Sequence, residues 1–172
     1  MEYIEKINAL HAELGIPKNY KANWKLPIQH EASQTATTEL SPNGEQILLS
    51  PGAKKRWLRL KSAALQDEVI LHLEYGFRSI DQQANLIRGE LAKGKPISEI
   101  LTWIAAPGHS EHHTGRAIDV GTIDCFPVDE SFEETEGYRW LQTHKKQFSI
   151  QLSYPRENKN KIIFEPWHWY FK

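Results

Sequence analysis

Three histidines fall within five residues of a chain that has only eight: Pro107-Gly108-His109-Ser110-Glu111-His112-His113-Thr114-Gly115. Asp119 follows at the end of Arg116-Ala117-Ile118-Asp119, and Glu165-Pro166-Trp167-His168 lies near the C-terminus. Two imidazoles and a carboxylate with one position left open form a catalytic zinc set. A nearby glutamate outside that set can take the proton of an attacking water. The sole cysteine, Cys125, excludes a multi-thiolate site and an internal disulfide, so any metal here is held by histidine and carboxylate. Spacing alone leaves open which member of the 109–113 cluster would serve as a ligand. Each residue also has an ordinary reading: a polar loop for the histidines, a strand-end cap for Asp119, a surface ion pair for Glu165. A serine hydrolase built on Ser110, His112 and Asp119 is disfavoured. There is no G-x-S-x-G elbow, and Ser110 and His112 stand too close in sequence to act easily as nucleophile and base.

These residues need rigid elements to bring them together. In a strand over 116–120, Ala117 and Asp119 face one way and Arg116 and Ile118 the other, which leaves room beside the carboxylate. Gly115 lets the preceding loop fold back toward Asp119. Pro166 fixes its own φ and restricts Glu165 to extended backbone, so the directions of Glu165 and His168 are set by the chain itself. Around them the pattern predicts helices over 3–14, from Pro51 (with Ser50 as N-cap) to about 66, 80–91, 98–103 and 133–145. Strands are expected at 47–49, 69–73, 116–120 and 147–154. A C-terminal hairpin with arms 161–164 and 167–171 completes the list, and 17–45 reads mostly as loop anchored by Trp24 and Leu26. Helices and strands without a regular βαβ alternation argue for an α+β fold: a single domain with a mainly antiparallel sheet flanked by helices and the zinc site at the sheet.

The 172 residues suit one domain with a real core. With 21 Lys+Arg against 22 Asp+Glu, the net charge of -1 provides no field to gather nucleic acid or anionic membrane. No run of about 18 apolar residues is present to span a bilayer. The start, Met1-Glu2-Tyr3-Ile4-Glu5-Lys6, lacks the apolar region of a signal peptide, so the expected location is the cytoplasm unless another route exports the protein. The oligomeric state is not readable from the sequence.

Ser110-Glu111-His112-His113-Thr114-Gly115-Arg116-Ala117-Ile118-Asp119 matches S-x-H-x-x-G-x-A-x-D, and Glu165-Pro166-Trp167-His168 matches E-P-W-H. Together they resemble the VanY-type D-alanyl-D-alanine carboxypeptidases, a branch of the LAS metallopeptidases that cut bacterial cell-wall peptides. Tyr75-Gly76-Phe77-Arg78-Ser79-Ile80-Asp81-Gln82-Gln83 is similar to that family's S-G-Y-R-S-x-x-x-Q stretch, with Tyr75 where the family has a small serine. The likeness covers about 70–171, leaving residues 1–60 as an N-terminal extension packed on the peptidase domain. The resemblance implies Zn2+ on His112, Asp119 and His168, with Glu165 as general base. It places Arg78, Ser79, Gln83, Ser110 and His113 on the substrate side. The implied substrate is a peptidoglycan peptide or muropeptide from which terminal D-Ala is released. An endolysin-like L-Ala-D-Glu endopeptidase and a D-Ala-D-Ala dipeptidase are the enzymatic alternatives. An inactive peptide-binding module is the non-enzymatic one, although it would be expected to lack one of the four residues present here.

Overall fold

The computed structural model describes residues 2–125 and 127–172. Its sheet has four strands: β3 (His72–Tyr75), β4 (Ala117–Gly121), β5 (Ile150–Leu152) and β6 (His168–Phe171). Their order is β3-β4-β6-β5, and every neighbouring pair is antiparallel. A separate hairpin of β1 (Ala36–Leu40) and β2 (Gln46–Leu49) precedes it. The α+β reading with an antiparallel sheet is what the structure has.

Ser50 and Pro51 begin α3 (Pro51–Gln66) as expected, the Ser50 hydroxyl accepting from the Ala53 N–H. This helix presents Trp57, Leu60 and Ala64 to one face of the sheet, where Leu73, Ile118, Val120, Trp169 and Phe171 meet them. Leu141, from α6 (Glu136–His144), closes the same cluster. Each large apolar side chain among these contributes roughly 1.5–3 kcal/mol on burial. Alternation in β4 then sends Asp119 to the opposite face.

On that opposite side lies a second apolar cluster. It joins α1 (Tyr3–Glu13), α2 (Tyr20–Trp24), α4 (Ile80–Ala92) and α5 (Ile97–Ile100) through Ile7, Leu10, Tyr20, Ile87, Ile100 and Leu101. The N-terminal segment is thereby packed along the histidine loop. Gln29 N–H donates to Gly108 O and Ala32 N–H to His113 O, both at 2.8 Å. The Tyr20 hydroxyl accepts from the Ala106 N–H at 3.0 Å, inside the protein.

Three of the strand expectations need correction. The C-terminal hairpin does not form: residues 161–164 are irregular, and the two edges of β6 are taken by β4 and β5. Residues 17–45 are mostly loop, as expected, with the short α2 and β1 set within them. β1 escapes notice because its sequence, Ala-Thr-Thr-Glu-Leu, lacks an apolar alternation, and its Glu39 turns inward. That carboxylate accepts from Trp57 Nε1, Lys61 Nζ and Leu73 N–H, tying the hairpin to α3 and β3. The strand expected at 69–73 begins three residues later, because pairing with β4 sets its limits. The one expected at 147–154 shrinks to Ile150–Leu152. Among the described residues, no helix is long and apolar enough to cross a membrane.

The Tyr20 contact yields a stability prediction. Tyr20→Phe leaves the buried Ala106 N–H without its acceptor, which costs about 1–3 kcal/mol. Urea unfolding should show the midpoint fall with an unchanged m-value. An unaltered midpoint would mean that this hydroxyl does not hold the 104–108 segment.

Candidate active site

Two strands and two turns bring the chemistry together. Asp119 on β4 pairs in register with His168, the first residue of β6. Glu165, Pro166, Trp167 and His168 form a tight turn into β6. His168 N–H donates to Glu165 O at 3.1 Å, with Pro166 at the second position where its fixed φ belongs. Glu165 is anchored in turn by its N–H to Tyr154 O at 3.1 Å. His112 comes from a 3₁₀ turn, Glu111–Thr114, that Ser110 caps by accepting from the His112 N–H. Gly115 ends that turn at φ +63°, and a Cβ there would come within 2.8 Å of Ser50 N, so the position favours glycine on both counts.

The donor atoms of His112, Asp119 and His168 lie within 4.8 Å of one another, and all three residues are buried. Among the described residues no other His, Cys, Asp or Glu group converges in this way. His112 Nδ1 lies 2.6 Å from Gly76 O, and since a carbonyl only accepts, Nδ1 carries the proton. Nε2 is then the lone-pair nitrogen, 3.2 Å from Asp119 Oδ2. His168 presents Nδ1 to Asp119 Oδ1 at 3.0 Å, while its Nε2 is 3.0 Å from Glu111 Oε2. Both imidazoles thus keep one nitrogen on the metal side and have the other pinned by the protein.

The charges are strongly coupled. Burial opposes ionisation of Asp119, yet His112 and His168 override it and hold the carboxylate well below its usual range. Burial likewise disfavours the protonated imidazole of His168, but hydrogen bonds to Asp119 and Glu111 push its pKa up to about 10. A ligand imidazole must be neutral, so uptake of a cation here releases a proton. Glu165 is pushed up to about 8, chiefly by burial, with His168 acting against the rise. A divalent cation at the three donors adds a further positive charge in that same lowering sense. Two nitrogens, one carboxylate oxygen and a free side facing a cleft fit Zn2+ better than Mg2+ or Ca2+, which prefer oxygen cages.

That cleft, of about 440 Å³, is lined by His112, Asp119, Glu165 and His168 together with Arg78 and Gln83. A larger groove of about 910 Å³ runs by β5 and contains none of them, so volume does not locate the chemistry. Arg78 donates to Gln83 Oε1 at 3.1 Å, and Gln83 Nε2 is fixed on Ala105 O at 2.7 Å. Among the described residues the Arg78 guanidinium has no ion-pair partner, leaving most of its five donors for whatever enters the cleft. Burial lowers its pKa, against the opposing pull of Asp119, Tyr75 and Glu165.

Ser110 also lines the cleft. Two residues expected on the substrate side are placed elsewhere. Ser79 caps α4, accepting from the Gln82 N–H while Gln82 Oε1 accepts from the Ser79 N–H. His113 is wholly buried, donating from Nδ1 to Arg78 O and accepting at Nε2 from the Gly108 N–H. Burial pushes its pKa down to about 4, as a neutral clamp requires. His109 is also structural, with Nδ1 on Leu26 O at 2.9 Å.

Sequence reasoning missed two residues. Glu111, inside the quoted motif, accepts from Ser153 Oγ at 2.5 Å as well as from His168, but an acid beside histidines looks like any turn charge. Tyr154 lines the cleft with its ring 4.9 Å from that of His168, and no sequence signal marks it.

Comparison with known proteins agrees with this geometry. A D-alanyl-D-alanine carboxypeptidase from Enterococcus faecalis is 28% identical over 84% of this chain and 53% of its own length. The bifunctional D-Ala-D-Ala dipeptidase and carboxypeptidase VanXYC of Enterococcus gallinarum is 28% identical over 71% of this chain and 66% of its own. The chain thus spans about half to two-thirds of the curated relatives it matches. Among solved structures, the LdcB LD-carboxypeptidase superposes with a TM-score of 0.74 at 25% identity, covering 84% of this chain and 71% of that one. A D,D-pentapeptidase VanY variant in complex with Zn(II) gives 0.62 at 26% identity, covering 85% and 82%. The family model described as VanY, D-alanyl-D-alanine carboxypeptidase, matches residues 46–172, from β2 through both halves of the His-Asp-His set. The chain therefore belongs to the VanY family of D-alanyl-D-alanine carboxypeptidases.

Proposed function

We propose that this protein is a zinc carboxypeptidase that releases terminal D-Ala from peptidoglycan-type peptides, with the metal on His112, Asp119 and His168. The observation that carries the reading is the juxtaposition in one cleft of that donor set, the buried Glu165 and an Arg78 guanidinium without an ion-pair partner among the described residues. Zinc, when bound, supplies Lewis acidity that polarises the scissile carbonyl and favours ionisation of water. Glu165 accepts the proton of the attacking water and returns it to the leaving amine. Its burial keeps its proton affinity closer to neutral pH than that of an exposed carboxylate, which suits a base that must give the proton back. Arg78, held in place by Gln83, receives the substrate's terminal carboxylate in a charge-assisted contact.

Relatives and neighbours named for D-Ala-D-Ala and LD-carboxypeptidase activities support a substrate ending in D-Ala. The two activities share the leaving residue and differ in the residue before it. Mass spectrometry of defined muropeptides, ending either in D-Ala-D-Ala or in one D-Ala on an L-centre, separates them. Cleavage at an internal bond instead would favour the endopeptidase alternative.

The arginine and the part-buried Glu111 behind His168 can each be tested. Losing one partner of a buried charged pair costs roughly 2–5 kcal/mol. Arg78→Ala should therefore lower kcat/KM on a D-Ala-terminated peptide at least about tenfold, with Lys restoring only part because it lacks the planar fork. Wild type should be nearly blind to the same peptide amidated at its C-terminus; equal cleavage of acid and amide would remove the carboxypeptidase reading. Glu111 orients His168 from behind, so Glu111→Ala should weaken zinc affinity by about 10–100-fold in competition with a chromogenic chelator. Affinity equal to wild type would show that the carboxylate does not orient the ligand.

A further inference from the structure

Tyr75 is a large aromatic residue left 44% exposed at the C-terminal end of β3, directly opposite Asp119 in the strand register. Its ring centroid is 5.6 Å from the guanidinium carbon of Arg78, within cation–π range. Among the described residues its hydroxyl makes no hydrogen bond, so the ring is held by stacking and not by its polar end. The same side chain lines two spaces: the catalytic cleft and an adjoining depression of about 390 Å³. The depression is formed by β2, by Gly76 and Phe77, and by the first turns of α4. Leu86, 42% exposed, borders both spaces as well. Tyr75 and Leu86 thus stand on the ridge that divides them, beside the arginine. Without the ring, the Arg78 side of the cleft would open toward the depression. A Cβ at Gly76 is excluded by Leu48 O at 2.5 Å, so no side chain can grow from that position to close the gap.

We infer that Tyr75 sets the size limit of the subsite that receives the residue to be released. This rests on the reading of Arg78 as carboxylate receptor, and the limit is steric. A carboxylate paired with Arg78 places its own α-carbon and side chain next to the Tyr75 ring and Leu86. A methyl group fits against that apolar ridge, and a branched or aromatic side chain meets it. The hydroxyl has no part in this, so Phe can replace Tyr, whereas a small residue cannot.

The test compares two peptides identical except at the last position, D-Ala or D-Leu, both with free C-termini. Wild type should prefer D-Ala by at least about tenfold in kcat/KM, the order of discrimination that a shape-limited apolar pocket provides. Tyr75→Ser should lower that ratio several-fold by raising kcat/KM for the D-Leu peptide, and Tyr75→Phe should keep the wild-type ratio. Zinc content measured on each variant confirms an intact site. If Tyr75→Ser changes both substrates by the same factor, the ring only supports Arg78 and the size-limit assignment is overturned. Phe behaving like Ser would likewise overturn it, by giving the role to the hydroxyl. These outcomes leave the carboxypeptidase reading standing. A wild type that releases neither terminal residue from any acid-ended peptide overturns both.

Discussion

A buried carboxylate between two buried imidazoles is the constraint around which this protein is arranged. Asp119 is 4% exposed, and its two oxygens face His112 Nε2 at 3.2 Å and His168 Nδ1 at 3.0 Å. A charge so placed is tolerable only if paired, and removing one partner of such a set costs about 3–5 kcal/mol. The β4–β6 register that sets Asp119 against His168, the glycine that bends the 3₁₀ turn back, and the Gly76 carbonyl that fixes the His112 tautomer all serve this one arrangement.

The same backbone contacts link metal and substrate recognition. The segment that carries Arg78 is bound to the histidine turn at three points: His112 Nδ1 to Gly76 O, Arg78 N–H to His112 O, and His113 Nδ1 to Arg78 O. Displacing either segment shifts the other. The N-terminal helices brace the far side of that turn through Tyr20 and His11, the latter hydrogen-bonded to Pro107 O. An element that contributes nothing to the chemistry therefore holds the loop on which the chemistry stands.

The residue types of the centre pointed to a metal held by histidine and carboxylate, but each residue also had an ordinary reading. Only the resemblance to the VanY-type family singled out His112, Asp119 and His168 as the set, with Glu165 as the base. The helix from Pro51 was legible through capping, and the antiparallel sheet through the lack of a regular βαβ alternation. What could not be read depends on partners distant in sequence. Glu39 looks like a surface charge until Trp57, Lys61 and Leu73 are seen to donate to it. Glu111 and Tyr154 acquire meaning only when β6 carries His168 between them. Ser79 and His113 belong to the right motifs, but backbone groups claim their polar atoms first: the Gln82 N–H for Ser79, and Arg78 O and the Gly108 N–H for His113. The hairpin expected at the C-terminus failed for a related reason. β6 takes its partners from β4, far back in the chain, and from β5, rather than from the segment just before it.

The central claim is that Glu165 performs proton transfer beside a metal it does not hold. Zinc stoichiometry and turnover of a D-Ala-terminated peptide, measured on one preparation of Glu165→Gln, test it most directly. The account predicts about one zinc per chain, as in wild type, with kcat reduced by roughly 10²–10⁴-fold. A zinc-replete Glu165→Gln protein with near-normal kcat would contradict it.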